Sequence, residues 1–165
     1  MATITLQGNE VHTNGELPTI GGDAPDFVLV DGDLNELSLN SFKGKKKLLN
    51  IVPSLDTPVC ATSTKKFNDA AMARQDTAFL IVSADLPFAQ KRFCSAEGVE
   101  NVIALSMMRS RDFASDYGVL IEDGPLAGVT ARAVVVIDEN DKIRYTELVP
   151  EIAQEPDYDR ALAAL

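Results

Sequence analysis

The sequence predicts an α/β domain in which helices cover a mixed β-sheet. Short apolar runs, typical of buried strands, alternate with segments of helical periodicity along most of the chain. Only a turn separates the last two runs, which predicts an antiparallel strand pair at one edge of the sheet. No repeat or linker interrupts the 165 residues, so we expect one domain over residues 1–165.

The N-terminal segment predicts a β-hairpin ahead of this sheet. Apolar and polar residues alternate between Ile4 and Val11, with Gly8-Asn9 as the turn signal. A second, shorter reversal follows at Asp31-Gly32, after a short strand. Beyond it the alternation resumes at Leu37 and Leu39.

The rest of the chain has the order strand-helix-strand-helix-strand-helix-strand-strand-helix. Pro53 ends the first of these strands because proline lacks the N–H that a sheet requires. The order fits a thioredoxin-like fold with an added N-terminal hairpin, and it leaves other small α/β folds open. The predicted strands cover residues 48–52, 78–82, 102–105, 133–137 and 143–148. The first predicted helix begins near Cys60, and the other three cover residues 87–97, 112–117 and 157–165.

The overall charge excludes some classes of partner. A net charge of −10 argues against non-specific binding to nucleic acid or to an anionic membrane, since both need a basic face. The one basic run, Lys45–Lys47, is interpreted as the solvated start of a strand. The chain has neither an apolar stretch of the roughly 20 residues that span a bilayer nor the pattern of a secretory signal. We therefore expect a cytoplasmic location.

The chain contains two cysteines, Cys60 and Cys94, and one histidine, His12. In a reducing compartment a permanent disulfide is not expected, so the cysteines are either inert core thiols or a transient catalytic pair. These residues lack the number and spacing of a zinc site, so we expect no metal and no cofactor. His12 lies in the predicted hairpin and is interpreted as a surface or packing residue.

Cys60 lies where a loop leads into a predicted helix, in the segment PSLDTPVC over residues 53–60. A thiol in the first turn of a helix lies beside unsatisfied backbone N–H groups and the positive end of the helix dipole. Both favour the thiolate, which is the nucleophilic form. Cysteine is also among the most buried residue types, so the spacing alone does not decide between a reactive thiol and inert packing.

Three blocks of the chain and a shorter N-terminal segment resemble the peroxiredoxin family. Pro53, Thr57 and Cys60 match the family's active-site motif, and the variant with Asp56 and Val59 resembles its bacterial thiol peroxidase subfamily, an atypical two-cysteine group. The blocks SADLPFAQKRFC at 83–94 and ARAVVVIDEND at 131–141 are also similar to that subfamily, and GDAPDF at 22–27 resembles the family's N-terminal signature.

The resemblance implies a thiol-specific peroxidase that reduces hydrogen peroxide and organic hydroperoxides. It implies that Cys60 attacks the peroxide, that Cys94 then forms a disulfide with Cys60, and that thioredoxin reduces the disulfide. Thr57 and Arg132 would stabilise the reacting oxygen, and Pro53 would support the pocket. It also implies a homodimer. Without the resemblance, Arg132 as a surface ion-pair residue and Cys94 as a core thiol remain open.

Several competing functions fit the sequence less well. A cysteine phosphatase needs an arginine where this chain has Lys66, and a dithiol reductant needs a second cysteine where it has Ser63. A cysteine protease would have to use His12 as base, and no partner pattern supports it. The remaining alternatives are a peroxide sensor that relays oxidation to a partner protein and a purely structural interaction module. The sensor would react once and stall without its partner, whereas the enzyme would turn over.

Overall fold

A computed structural model describes all 165 residues, and its elements agree closely with those expected. Every predicted helix and central strand is present, with ends that differ by one or two residues. The strands are β1 (Thr3–Leu6), β2 (Asn9–His12), β3 (Leu29–Val30), β4 (Glu36–Leu37), β5 (Lys46–Ile51), β6 (Thr77–Ser83), β7 (Ile103–Ser106), β8 (Ala133–Ile137) and β9 (Ile143–Leu148). The helices are α1 (Pro58–Ala71), α2 (Pro87–Glu97), α3 (Asp112–Asp116) and α4 (Tyr158–Ala163).

Seven strands form one mixed sheet in the order β4-β3-β7-β6-β5-β8-β9. Strands β5, β6 and β7 run parallel, because α1 and α2 connect them as crossovers. The predicted antiparallel pair β8–β9 is confirmed at one edge, and β3–β4 forms a second antiparallel pair at the other edge. The fold is the expected thioredoxin-like one, and β1 and β2 form a separate two-stranded hairpin.

The central strands are buried on both faces, and each face carries its own apolar core. Successive residues such as Leu48 and Leu49 point to opposite faces and belong to different cores. One core contains residues of α1 and α4 and borders partly buried residues of α2; the other contains residues of α3 and the hairpin. Cys60 belongs to the first of these cores.

Some sequence-based details are wrong. The hairpin turn is formed by Gln7 and Gly8, both with positive φ, one residue before the expected Gly8-Asn9 turn. Leu39 lies in a 3-10 helix over Leu39–Phe42 and not in a strand, and it is buried. An alternating pattern of this length suits either element, and contact with the sheet decides between them.

The basic run is only partly solvated. Lys47 was expected at a solvated position, yet its side chain is fully buried and its ammonium donates to the carboxylate of Asp141. Lys47 pairs with Ile137 in the sheet, which brings it beside the β8–β9 turn that carries this carboxylate. The ion pair offsets the cost of burying the charge. None of the helices is both long and apolar enough to cross a bilayer.

Candidate active site

Cys60 is the third residue of α1, at the carboxyl end of the central strand β5. Pro58 occupies the first turn of the helix, where its missing N–H costs nothing. The Cys60 side chain has no exposed surface and packs among the apolar residues of the core beneath α1. The sulfur is therefore at a helix N-terminus, as expected, and it is shielded from bulk water.

Arg132 contacts the sulfur directly. Its Nη1 donates to Cys60 Sγ at 3.2 Å, and its Nε donates to the carbonyl oxygen of Ile152 at 2.8 Å. Arg132 precedes β8, which pairs with β5 so that Ala133 lies opposite Ile51. This pairing brings two residues 72 positions apart into contact. Because Arg132 is 1% exposed and forms no carboxylate pair, the surface ion-pair interpretation is excluded.

The first turn of α1 leaves backbone donors near the sulfur. Thr57 is the residue before the helix, and its side chain does not accept a hydrogen bond from the helix. The Thr57 hydroxyl instead donates to the carbonyl oxygen of Ser54 at 3.0 Å. The amides of Val59 and Cys60 precede the first helical hydrogen bond, from Ala61 N to Thr57 O at 3.0 Å. These amides are thus available to a ligand or to the sulfur.

A cleft of about 350 Å³ leads to this group. Pro53, Thr57 and Arg132 line it together, so four of the five residues singled out in the sequence lie at one place. The remaining walls are mostly apolar and come from distant segments: Leu6 in the hairpin, Leu126, Val129 and Ile152. The cleft therefore combines the polar groups of Arg132 and Thr57 with a mainly apolar lining.

Cys94, the fifth residue, lies on α2 and not in the cleft. Its side chain is half buried and packs against the same core that contains Cys60. Burial raises the pKa of the Cys94 thiol, because low-dielectric surroundings disfavour its charged form. Both cysteines are free thiols in this structure.

Sequence reasoning missed Glu151, which binds the tip of the hairpin whose residues Leu6 and Gln7 line the cleft. Its carboxylate accepts hydrogen bonds from Gly8 N at 2.9 Å, Thr5 Oγ1 at 3.0 Å and Ala153 N at 2.9 Å. These bonds, chiefly those from the backbone amides, lower the pKa of Glu151 to about 2. Glu151 thus fastens the hairpin tip beside Ile152. No sequence signal distinguishes it from a surface glutamate, since two of its three partners, Thr5 and Gly8, are over 140 residues away.

His12 lies at the surface, as the sequence predicts. Its Nδ1 lies 2.6 Å from an oxygen of the Asp123 carboxylate, and this hydrogen bond raises the pKa of the imidazole. The pair joins the hairpin to the 121–124 segment and has no contact with Cys60. His12 is therefore no catalytic base for this sulfur.

The fold and the site together define a class of protein. A thiol at a helix N-terminus of a thioredoxin-like sheet, beside a buried guanidinium, is suited to thiol-based redox chemistry. The family model described as Redoxin matches residues 19–162. The thiol peroxidase of Mycobacterium tuberculosis (strain ATCC 25618 / H37Rv) is 59% identical over 165 residues, which cover 100% of this chain and 99% of the relative.

Two further comparisons agree. The thiol peroxidase of Corynebacterium glutamicum is 54% identical over 100% of this chain and 99% of its own length. The crystal structure of a peroxiredoxin-like protein from Aquifex aeolicus matches with a TM-score of 0.93 and 43% identity, covering 100% of this chain and 98% of that one. The chain therefore belongs to the Redoxin family, within its peroxiredoxin-type thiol peroxidases, and it is an enzyme that reduces peroxides.

Proposed function

We propose that Cys60 is the peroxide-reacting thiol of this enzyme. The supporting observation is the hydrogen bond from Arg132 Nη1 to Cys60 Sγ, at 3.2 Å, in a site shielded from water. A guanidinium keeps its charge at any working pH, so Arg132 places a fixed positive charge against the sulfur. The thiolate, and not the thiol, is the form that attacks peroxide.

In the first step the Cys60 thiolate attacks one oxygen of the peroxide O–O bond. The S–O bond forms as the O–O bond breaks, so sulfur is oxidised by two electrons and the peroxide is reduced by two. The leaving oxygen takes a proton and departs as water, or as an alcohol when the substrate is an organic hydroperoxide. Cys60 is left as a sulfenic acid.

Arg132 and the N-terminal amides of α1 stabilise the negative charge that develops on oxygen in this step. Ile152 orients Arg132 by accepting from its Nε, so the guanidinium does not have to reorganise during the reaction. Thr57 contributes differently. Its hydrogen goes to Ser54, which leaves its oxygen lone pairs to accept the O–H of the hydroperoxide. Pro53 is buried and holds the loop against the cleft.

The shape of the cleft supports a broad peroxide range. Hydrogen peroxide needs only the polar groups, whereas an organic hydroperoxide also places its carbon chain against Leu6, Leu126 and Val129. The apolar wall therefore favours hydroperoxides with a hydrocarbon substituent. We infer that both kinds are substrates and that apolar hydroperoxides have the lower KM.

In the second step Cys94 attacks the Cys60 sulfenic acid. The S–S bond forms, the S–O bond breaks and water leaves, so one chain contains a Cys60–Cys94 disulfide. Cys60 is fully buried in α1 and Cys94 is half buried on α2, so we expect at least one helix to open locally as the sulfurs bond. A dithiol protein such as thioredoxin then returns both cysteines to thiols by disulfide exchange.

The resemblance to two-cysteine peroxiredoxins also supports a homodimer in the cytoplasm. Leu86 and Phe88, which are 52% and 63% exposed, offer an apolar patch that a second copy would cover. The mass of the reduced protein, measured by light scattering after gel filtration, tests the dimer: twice 17.8 kDa supports it.

Mass spectrometry of the peroxide-treated protein tests the proposed cycle. A Cys60–Cys94 bridge within one chain, reduced by thioredoxin over many equivalents of peroxide, supports the enzyme described here. One equivalent consumed, followed by a stall in the presence of thioredoxin, indicates instead a sensor that passes its oxidation to another protein. A bridge between two chains contradicts the intramolecular cycle.

A further inference from the structure

Asp85, in the loop between β6 and α2, holds the segment that leads into Cys60. Its carboxylate accepts hydrogen bonds from Ser54 Oγ at 2.7 Å and from Leu55 N at 2.8 Å. Both donors belong to the loop between β5 and α1. Charge-assisted bonds of this kind are stronger than those between neutral groups, so the carboxylate fixes the loop tightly.

The same carboxylate is linked to α2, the helix that carries Cys94. Asp85 accepts from Ser83 Oγ at 2.7 Å, and Ser83 Oγ accepts in turn from Gln90 Nε2 at 3.0 Å. Gln90 lies on α2, is fully buried, and also donates to the carbonyl oxygen of Leu105 at 2.9 Å. Pro87 is the only other buried residue of α2, so Gln90 is the main polar attachment of this helix to the sheet.

We propose that Asp85 is a positioning residue that couples the loop of Cys60 to the helix of Cys94. This proposal rests on the roles of the two cysteines given above. With its bonds intact, Asp85 holds Leu55, which is 3% exposed and packs in the same core as Cys60, and thereby sets where α1 begins. The start of α1 in turn sets the position of the sulfur relative to Arg132.

The two chemical steps make opposite demands on this attachment. Attack on peroxide requires the sulfur held in line with the O–O bond, so the attachment must be intact. Disulfide formation requires Cys60 and Cys94 to leave their packed positions, so the attachment must release. A cleft of about 280 Å³ between the loop and α2, lined by Leu55, Asp85 and Phe93, leaves room for α2 to shift there.

The variant Asp85→Ala tests this coupling, because it removes the carboxylate that accepts hydrogen bonds from Ser54, Leu55 and Ser83. In a Cys94→Ser background, which stops at the sulfenic acid, we expect single-turnover oxidation of Cys60 to slow about ten-fold or more. With Cys94 present, excess peroxide makes closure of the disulfide observable by alkylation and mass spectrometry. We expect this closure to be as fast as in the parent protein, or faster.

Asp56→Ala is the matched control. Asp56 lies in the same loop and lines the same cleft, and it is exposed; its carboxylate forms no hydrogen bond. The control removes the same charge but leaves the attachment in place, so both rates should stay at the parent values. Hydrogen exchange gives a second readout: Asp85→Ala should speed exchange in residues 53–59 and 87–97 together, and Asp56→Ala in neither.

Three results would overturn the proposal: an unchanged oxidation rate in Asp85→Ala, equal slowing of both steps, or faster exchange confined to residues 53–59. Should Asp85→Ala not fold, Ser54→Ala removes one of the two bonds to the loop and keeps the charge. Ser54→Ala must then slow the oxidation of Cys60, by a smaller factor, without slowing disulfide closure. If both rates stay unchanged or slow equally, the coupling is contradicted. If the wild-type protein forms no Cys60–Cys94 bridge, the proposed cycle fails whatever Asp85 does.

Discussion

The two cysteines lie on the same face of the sheet but in very different surroundings. Helix α1 buries six of its 14 residues, including Cys60 and Phe67, and Cys60 also contacts the fixed guanidinium of Arg132. Helix α2 buries two of its 11 residues, and Cys94 is only partly covered. Few buried contacts mean a low free energy of local opening.

In the cycle proposed above, this difference suits the two cysteines to two steps with opposite needs. The reaction with peroxide needs a sulfur that is desolvated and aligned, and α1 supplies this through burial and Arg132. The closing of the disulfide needs a thiol that moves and loses its proton. Since burial raises the pKa of Cys94, opening of α2 both brings that thiol into water and makes it more nucleophilic.

The largest effect is expected for Cys60→Ser. A serine hydroxyl is far less nucleophilic than a thiolate and forms no sulfenic acid, so peroxide consumption should fall on the order of a thousand-fold or more. Loss of peroxide, followed by a colorimetric assay, measures this. A variant that retains most of the activity would mean that another group reacts with peroxide.

Cys94→Ser should abolish multiple turnover and spare the first oxidation. The buried arrangement of Cys60 and Arg132 is untouched, so one equivalent of peroxide is consumed at the parent rate and a sulfenic acid accumulates. Trapping with a sulfenic-acid reagent and assay with thioredoxin measure the two halves separately. Normal multi-turnover in this variant would remove the functional difference between the two helices.

Arg132→Lys should slow the peroxide step by about 100-fold. Lysine keeps the charge but lacks the planar fork that bonds Ile152 O and Cys60 Sγ at once, so the cation is no longer held in place. Arg144→Lys is the control, since Arg144 is a mostly exposed arginine paired with Asp138. Stopped-flow mixing with cumene hydroperoxide measures the rate, and equal rates in both variants would contradict the role of Arg132.

A smaller effect is expected from weakening α2 itself. Ala96→Gly, at an exposed position near the end of α2, costs a helix about 1 kcal/mol. This cost lowers the opening energy and should speed disulfide closure about five-fold, with the peroxide step unchanged. Ala70→Gly imposes a similar cost at the far end of α1 and should leave closure unchanged. Equal effects of the two variants would show that α2 opening does not limit closure.

The smallest effect concerns the attachment of the hairpin by Glu151 and appears only in acid. The pKa of Glu151 is about 2 in the folded protein against an ordinary 4.5, so its stabilising bonds are complete above pH 4.5 and are lost as the pH falls toward 2. Glu151→Gln should therefore remove part of the decline of Tm between pH 4.5 and 2. Glu97→Gln, which breaks an exposed pair with Lys65, is the control and should leave that slope unchanged.

The sequence by itself determined the helices, the central strands and the position of Cys60 at a helix start. These features depend on local periodicity, on prolines at 53 and 58 and on backbone groups within one turn, all of which neighbouring residues specify. The blocks around Cys60, Cys94 and Arg132 also indicated the family. No single block indicates how the three blocks contact one another in space.

Only the tertiary structure decided which distant residues meet. The contact of Arg132 with Cys60 depends on the pairing of β8 with β5, and the hydrogen bonds of Glu151 with Thr5 and Gly8 depend on docking of the hairpin. The burial of Lys47 and the bonds of Asp85 have the same origin. Periodicity states which side of an element is buried, but the partner across the core is chosen by the packing of the whole chain.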